Sequence, residues 1–521
     1  MLSELRALLA AFEEGSAIPL LAEYADSYQG ICTGDFPHFG RYFWELPNLL
    51  DGWVLQQAPV DETCFYGGME NILLWENGTG TLYKYLCERL GEQGIGAWIR
   101  GRDAWGYRGI AVRQMRALPV ALYDGAHFDN NVAVIIPKIP EFLPPIWTFC
   151  ASDQFSKAVR RIDQKLNVPN QTLLKVPFDL AHWKQVAAQK YPNGLPEPYS
   201  DDPTQWLFHG HPCGSVLWDE ANKRFTHGPL RTDATVLQVA VARLLGYRWP
   251  AELDTEMRLG SEARAWIAKC KELDGFADAD GVVCPPSVRG ERPGVDRLRA
   301  ILATAYGSGW SPAKEAELLA AVEFGGKSLD EWLRDSFFVQ HCQLFHQRPF
   351  IWHIWDGRKK DGFHALVNYH KLDHRLLEKL TYTYLGDWIA RQEAAVKTGE
   401  PTAEARLTAA KELQRKLALI LEGEPPYDIF VRWKPLEQQP IGWNPDLNDG
   451  VRLNIRPFVE AGVIRKTPNI KWGKDRGKNP PGSPCGDIRD NDQHLTLAEK
   501  RQVSAAAGAK GTEPEKRRRS P

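Results

Sequence analysis

The sequence predicts an α+β protein: a β-rich module, then a largely helical region, then a mixed C-terminal domain. Short apolar runs between turn residues fill 20–150, as in VAVIIP at 132–137, and this pattern is typical of small sheets. From residue 233 the apolar period becomes helical, because Val236, Val239, Ala240 and Leu244 share one face. Aromatic and basic residues mix through 336–480. No complete Rossmann domain is predicted.

Composition shifts divide the chain into five predicted segments. The stretch YPNGLPEPYSDDP at 191–203 breaks the periodicity with four prolines, as a linker does. The last 40 residues are rich in glycine, proline and charge, which favours disorder. The segments are an N-terminal helix at 1–17, an α/β module at 18–190, a linker and helical region at 191–335, a mixed aromatic and basic domain at 336–480, and a disordered tail at 481–521.

Three helices have clear sequence signals. Ser311 followed by Pro312 indicates an N-cap with proline in the first turn. Ser328 and Glu331 have the spacing of a capping box. Residues 402–422 carry leucines and an alanine on one face, which predicts an amphipathic helix.

Charge, cysteine content and hydropathy bear on three questions: nucleic-acid binding, the cellular compartment and membrane contact. The net charge is -2 over 521 residues, but lysine and arginine cluster after residue 430, and a basic face is enough for nucleic-acid binding. Nine cysteines without a Cys-x-x-Cys pair indicate a reducing, cytoplasmic compartment. No apolar run approaches the roughly 18 residues of a membrane span, so no membrane contact is predicted.

One segment imitates a cofactor site. In NILLWENGTGTLYKYL at 71–86, a predicted strand is followed by Glu76, Gly78 and Gly80 and then by a predicted helix. A glycine-rich turn at this position lets backbone amides approach a cofactor. The pair Asn77-Gly78 is also a strong hairpin-turn signal, and we favour a plain turn.

Other motifs for chemistry are incomplete. Asn479-Pro480-Pro481 is followed by Gly482, so it lacks the aromatic residue with which an adenine methyltransferase stacks its flipped base. His209, His211 and Cys213 form one group of potential metal ligands, and Cys342, His346 and His353 form another. Neither group has the second ligand pair usual for zinc. We predict no metal site and no catalytic residue.

Aromatic residues interleaved with cations form four clusters. Such residues can neutralise phosphates and stack on bases. For one cluster alone, core aromatics beside a solvated charged face are the favoured interpretation, but four clusters in one chain make nucleic-acid binding an equal alternative. The predicted DNA contacts are Arg100, Arg102, Trp105, Arg108, Arg113, Arg358, Lys359, Lys360, Arg432, Lys434, Arg452, Arg456, Lys471, Lys474 and Arg476.

The stretch FIWHIWDGRKKDGFHALVNYH at 350–370 predicts a hairpin. Its indoles would join the core, and its Gly357–Gly362 turn would present Arg358, Lys359 and Lys360. We expect this turn to contact phosphate and Arg102–Arg113 to read bases, since phosphate contacts position a protein and base contacts specify the site.

The same stretches resemble a known family. YADSYQGICTGDFPHFGRYFWEL at 24–46, SFFVQHCQLFHQRPFIWHIWDGRKKDGFHALVNYHKLD at 336–373 and PPYDIFVRWKPLEQQPIGWNPDLNDGVRLNIRPF at 425–458 are similar to the C-terminal, target-recognition half of large class I N6-adenine DNA methyltransferases. These enzymes belong to type IIG-like restriction–modification loci and to phage-defence systems such as DISARM and BREX. The resemblance implies that 18–190 is a target-recognition module.

The resemblance also implies a division of labour. The family's catalytic domain precedes these segments, and no position here matches its motifs. We therefore expect double-stranded DNA as a partner, a separate methyltransferase catalytic polypeptide, and S-adenosylmethionine bound there rather than on this chain. The alternatives are a self-contained methyltransferase that uses the Gly78–Gly80 turn, and a truncated fragment without function.

Overall fold

The computed structural model describes residues 18–472 and 496–511. The predicted N-terminal helix at 1–17, together with 473–495 and 512–521, lies outside the described residues. The strands are β1 Ala25–Gln29, β2 Gly40–Tyr42, β3 Trp53–Gln57, β4 Asn71–Leu74, β5 Arg108–Arg113, β6 Val120–Asp124, β7 His127–Phe128, β8 Val132–Pro137, β9 Val216–Asp219, β10 Arg224–His227, β11 Val282–Val283, β12 Ile351–Trp355 and β13 His364–Asn368.

Helices separate and cover these strands. The longer α-helices are Thr81–Leu90, Leu143–Cys150, Asp153–Ile162, Leu180–Lys190, Thr235–Leu244, Ser261–Cys270, Gly294–Tyr306, Pro312–Ala321, Phe337–Leu344, Leu385–Lys397, Ala403–Glu422 and Leu497–Gly511. The short ones are Phe36–Phe39, Asn170–Leu173, Pro250–Leu253, Leu329–Asp335, His374–Lys379, Val451–Asn454 and Arg456–Glu460. This mixture of helices and small sheets confirms the predicted α+β class.

Two four-stranded sheets form the first part of the molecule. The first sheet has the order β1-β8-β5-β6 and is antiparallel throughout. The second has the order β2-β4-β3-β7, in which β3 and β7 run parallel and the other pairs run antiparallel. The predicted β-rich character of residues 20–150 is confirmed.

The predicted helix signals are also confirmed. The Ser311 side chain accepts a hydrogen bond from the backbone of Lys314, and Ser328 forms a capping box with Glu331. The helix Ala403–Glu422 buries Ala410, Leu413, Leu417 and Leu421, as its apolar face requires.

The largest hydrophobic core of the described residues extends through the three central segments, 18–190, 191–335 and 336–480, from Leu21 to Ile470. Polar contacts also join the first and last segments. The indole of Trp44 donates to the carbonyl of Arg348 at 3.1 Å, and a Glu45 carboxylate oxygen accepts from the backbone of Val451 at 3.0 Å. The β-rich module therefore packs directly against the C-terminal domain.

The disorder predicted for 481–521 is wrong for Leu497–Gly511, which forms a helix. Thr496 and Glu499 form reciprocal side-chain bonds with each other's backbone amides at its N-terminus. The Lys500 ammonium lies 2.6 Å from an Asp428 carboxylate oxygen, with both side chains almost fully buried. Local capping and one long-range ion pair hold a segment whose composition predicted disorder.

Candidate nucleic-acid interface

Two of the predicted DNA contacts lie at one end of the first sheet. Gln29 of β1 and Val112 of β5 both pair with Ala133 of β8, so they occupy one row across three strands. Arg100 donates to the Gln29 side chain at 2.7 Å, and Arg113 lies one position beyond that row. We call the end of the sheet that carries Gln29 and Arg113 the cationic end.

Arg108 lies at the opposite end of β5. A strand advances about 3.4 Å per residue, so about 17 Å of strand separates Arg108 from Arg113. The Arg108 guanidinium is 3.8 Å from Asp124, which also binds Arg258 at 2.8 Å. The first predicted cluster is therefore split between two ends of the sheet.

Arg102 and Trp105 belong to an aromatic group at the second sheet. The Arg102 guanidinium lies 5.7 Å from the ring centre of Trp75 and 5.8 Å from that of Trp105. The ring of His127 lies 4.1 Å from Trp105. Burial, with a smaller contribution from Arg102, lowers the pKa of His127 to about 4. Arg102 is exposed and stays available for contact.

The loop that follows the helix Asp153–Ile162 adds cations that the sequence analysis missed. This loop comprises residues 163–168. The Arg160 guanidinium holds it by donating hydrogen bonds to the carbonyls of Lys165 and Arg116, the latter at 2.6 Å. Val168 and Gln114 exchange two hydrogen bonds of 2.9 Å. The loop is therefore held beside Arg113 and Arg116, at the cationic end.

Four cations on and around this loop face solvent. The side chains of Arg116 and Lys157 are 67% and 65% exposed, and Arg161 and Lys165 are exposed as well. Arg116 is 3.2 Å from Asp61 and Lys157 is 3.2 Å from Asp153. Within the described part of the chain, Arg161 and Lys165 form no ion pair. Their charges are the least compensated at this end.

Amide side chains accompany the cations. Gln164, Asn167 and Asn131 are exposed, and Asn167 forms a β-bridge with Met115 in the turn after β5. Primary amides can donate and accept at adenine edges, while lysine and arginine bind phosphates and guanine. The sequence signal for this surface is RRIDQKLN at 160–167, where three cations and two amides fall within eight residues.

The 350–370 hairpin forms as predicted. Trp355 of β12 pairs with His364 of β13, and Trp352 is buried in the core. Within the turn of this hairpin, the Arg358 guanidinium donates two hydrogen bonds to the carboxylate of Asp361, at 2.9 and 2.8 Å. Lys359 and Lys360 are exposed. Of these three predicted phosphate contacts, the two lysines are the more accessible.

The predicted contacts beyond residue 428 are mostly engaged inside the protein. Arg432 pairs with Asp35, and Lys434 pairs with Asp446 and Asp449 at 2.8 and 2.6 Å. Arg456 lies 3.6 Å from Glu460. Burial, followed by the neighbouring arginines, lowers the pKa of Arg452 to about 10. Lys471 is exposed, and Lys474 and Arg476 lie outside the described residues. As DNA contacts these residues stay predictions.

The Gly78–Gly80 turn does follow a strand and precede a helix, but its residues do not fit S-adenosylmethionine. Its strand, β4, runs antiparallel to both neighbours, whereas a dinucleotide-type site needs parallel strands. The Glu76 carboxylate accepts from the backbone of Thr81 at 2.5 Å and so occupies the helix N-terminus. A Cβ at Gly80 would lie 2.3 Å from the Glu76 side chain, so packing explains this glycine.

The histidine groups have structural partners. His209 lies 3.2 Å from an Asp201 carboxylate oxygen, and burial raises the pKa of Cys213 to about 12. Residues 18–472 and 496–511 contain no cluster of three or more potential ligands suited to a metal ion.

In the same ranges, no helix combines the length and apolar character needed to cross a membrane.

Comparison with solved structures gives a partial match. No family model matches the chain, and no curated protein matches it. A solved structure of the type IIL restriction-modification enzyme MmeI in complex with DNA is similar over 54% of this chain, with 12% identity and a TM-score of 0.20. The match covers 35% of the MmeI chain. At that TM-score it carries no argument about fold or function.

Proposed function

We propose that this chain is the DNA-recognition part of an N6-adenine DNA methyltransferase of a restriction–modification or phage-defence system. It would select a duplex site for a catalytic domain that lies outside these residues. The observation that carries the proposal is the cationic end of the first sheet, where Arg116, Lys157, Arg161 and Lys165 are exposed around a braced loop.

Duplex DNA fits this surface better than a generic acidic partner does. A protein with negative patches would be bound by the charges alone, whereas exposed amides lie among the cations here. In DNA complexes, cations bind phosphates while amides read base edges. Arg100, oriented by Gln29 of β1, would add a contact at the same end of the sheet.

The methyltransferase part of the proposal has a different basis. It comes from the resemblance of 24–46, 336–373 and 425–458 to the recognition half of adenine methyltransferases. Because Glu76 fills the helix N-terminus beside Gly78 and Gly80, we assign S-adenosylmethionine to the catalytic domain rather than to this chain. The match to MmeI is too weak to add support.

The first experiment reverses the two least compensated charges. The double variant R161E/K165E should bind a labelled DNA duplex at least tenfold more weakly at low salt, because two phosphate contacts are lost. Each phosphate neutralised contributes about 0.9 to the slope of log affinity against log salt, so this slope should decrease by about two. Fluorescence anisotropy over a salt series measures both quantities.

The matched control makes the same charge change elsewhere. The variant K271E/K397E reverses two exposed lysines of the helical part of the chain and should bind as the wild type does. Equal losses in both double variants would mean that only net charge matters, and would contradict the proposed interface. Absence of wild-type binding at any salt would contradict DNA recognition altogether.

Methyl transfer separates this proposal from a self-contained enzyme. The product of the upstream gene serves as the candidate catalytic polypeptide. With labelled S-adenosylmethionine and duplex DNA, we expect no methyl transfer by this chain alone or by that product alone, and methyl transfer by their mixture. Transfer by this chain alone would return the Gly78–Gly80 turn to consideration. Silence in every mixture would contradict the methyltransferase assignment while leaving DNA binding to the charge-reversal test.

A further inference from the structure

Leu166 is the most exposed large hydrophobic side chain of the described residues, at 75%. A single exposed leucine is ordinary in soluble proteins, so exposure alone says nothing about function. The surroundings of Leu166 are not ordinary. It lies at the centre of the loop that carries Lys165, and exposed Gln164 and Asn167 flank that pair.

The backbone on both sides of Leu166 is fixed. Before it, the Lys165 carbonyl accepts from Arg160, and the Lys165 amide donates to Asp163 at 2.9 Å. After it, Asn167 bridges to Met115, and Val168 is fully buried. A side chain presented by a fixed loop loses little further entropy when it is inserted into a partner.

The partner must accept an apolar side chain inside a ring of anions. Arg161 and Lys165 are exposed cations on the same helix and loop as the leucine, and exposed Arg116 is bonded to that segment through Arg160. A DNA duplex has this arrangement, since the faces of its stacked bases are apolar and its two phosphate backbones are anionic. Proteins that kink DNA insert leucine and similar side chains between base steps from the minor groove.

An anionic membrane has a related arrangement but fits less well. Membrane-surface binding scales with a continuous buried apolar face, and on the described helix Asp153–Ile162 and its loop the exposed large hydrophobic residues are Leu166 and Ile162, the latter 49% exposed. The exposed amides of Gln164 and Asn167 would lose hydrogen bonds among acyl chains, whereas base edges and sugars can provide them.

We propose that Leu166 is a wedge that enters the minor groove and partly unstacks one base step while Arg161 and Lys165 hold the flanking phosphates. This inference rests on the proposed function and specifies how the cationic end engages the duplex. The wedge supplies a local distortion of the kind that precedes extrusion of a base towards a catalytic site.

The test exploits the energy of unstacking. A mismatched base pair is easier to unstack than a matched one, so the wild-type chain should bind a labelled duplex with one central mismatch about tenfold tighter than its matched counterpart. Leu166→Ala should abolish this preference and bind the matched duplex with an unchanged salt slope. Leu166→Phe should keep the preference, because a larger apolar side chain still separates the bases.

The control is Leu217→Ala, which removes a leucine that is 50% exposed in the β9–β10 hairpin, and which should keep the preference. If the wild type binds both duplexes equally, the wedge is wrong and DNA recognition stands. If it binds neither, both proposals are wrong. Binding to vesicles of phosphatidylglycerol and phosphatidylcholine that Leu166→Ala abolishes would assign the leucine to a membrane and overturn the wedge.

Discussion

Arg160 and Lys165 are nearby cations of one segment with different roles: Arg160 fixes the loop and Lys165 faces solvent. Arg160 turns its guanidinium towards the carbonyls of Lys165 and Arg116 and so fixes the loop. Lys165 points its ammonium to solvent, where a phosphate can reach it. A planar guanidinium with five donors suits the first task, and a flexible ammonium suits the second. Substitutions at the two positions therefore probe loop geometry and charge separately.

The limits of sequence interpretation are clearest at the same scale. The four arginines at 100–113 formed one predicted cluster, yet Arg108 and Arg113 lie at opposite ends of β5. Their separation follows from the extended strand between them, and their partners lie on other elements, Asp124 on β6 and Asp61 in the segment between β3 and β4. Local composition reports that charges are present. It does not report which of them folding neutralises.

Whole elements were predicted more reliably, because their signals are local. The hairpin β12–β13, the capping box at Ser328 and the helix Ala403–Glu422 all follow from spacing within a few residues. The helix Leu497–Gly511 carried a comparable signal, since Thr496 and Glu499 have capping-box spacing. The prediction of disorder followed the glycine, proline and charge content instead of that signal. Asp428, the ion-pair partner of Lys500, is remote in sequence.

The buried pair of Lys500 and Asp428 gives a prediction at the scale of this helix. In Lys500→Met, the Asp428 carboxylate loses its ammonium partner, and breaking such a buried pair costs about 3–5 kcal/mol. Release of the helix, which exposes the carboxylate to water, is the simplest relief. Amide hydrogen exchange over 497–508 should therefore become much faster, while exchange in the sheets stays unchanged.

The neighbouring residue provides the matched control for that helix. Arg501→Met removes one positive charge as Lys500→Met does, but at an exposed position, so its exchange should equal that of the wild type. Equal exchange in the Lys500 and Arg501 variants would show that the ion pair does not anchor the helix. The apolar contacts of the helix would then have to hold it.

For the whole molecule, the buried histidines determine the response to acid. Burial is the main cause that lowers the pKa of His211, His341 and His364 to about 3 and of His38, His127 and His370 to about 4. An unfolded histidine titrates near 6.5. Between these values the unfolded chain binds protons that the folded chain does not, so stability is complete above pH 6.5 and declines as the pH falls.

Carboxyls with a raised pKa oppose this trend, Glu70 and Asp449 most strongly. Burial raises the pKa of Glu70 to about 7 and that of Asp449 to about 6, so their protonation stabilises the fold as the pH falls through those values. Each fully titrating group changes the free energy of unfolding by about 1.4 kcal/mol per pH unit. The six imidazoles named above outweigh Glu70 and Asp449, and from these groups we expect a net loss on the order of 5 kcal/mol between pH 7.5 and 5.5.

Urea unfolding at pH 7.5, 6.5 and 5.5, at constant ionic strength, measures this loss. The variant Glu70→Gln removes the stronger opposing carboxyl, so its stability should decrease more steeply with falling pH than that of the wild type. A flat or rising wild-type stability would mean that the histidines gain protons without unfolding. Their burial in the shared core would then be less complete than the structure describes, and the packing of the β-rich module against the C-terminal domain would need revision.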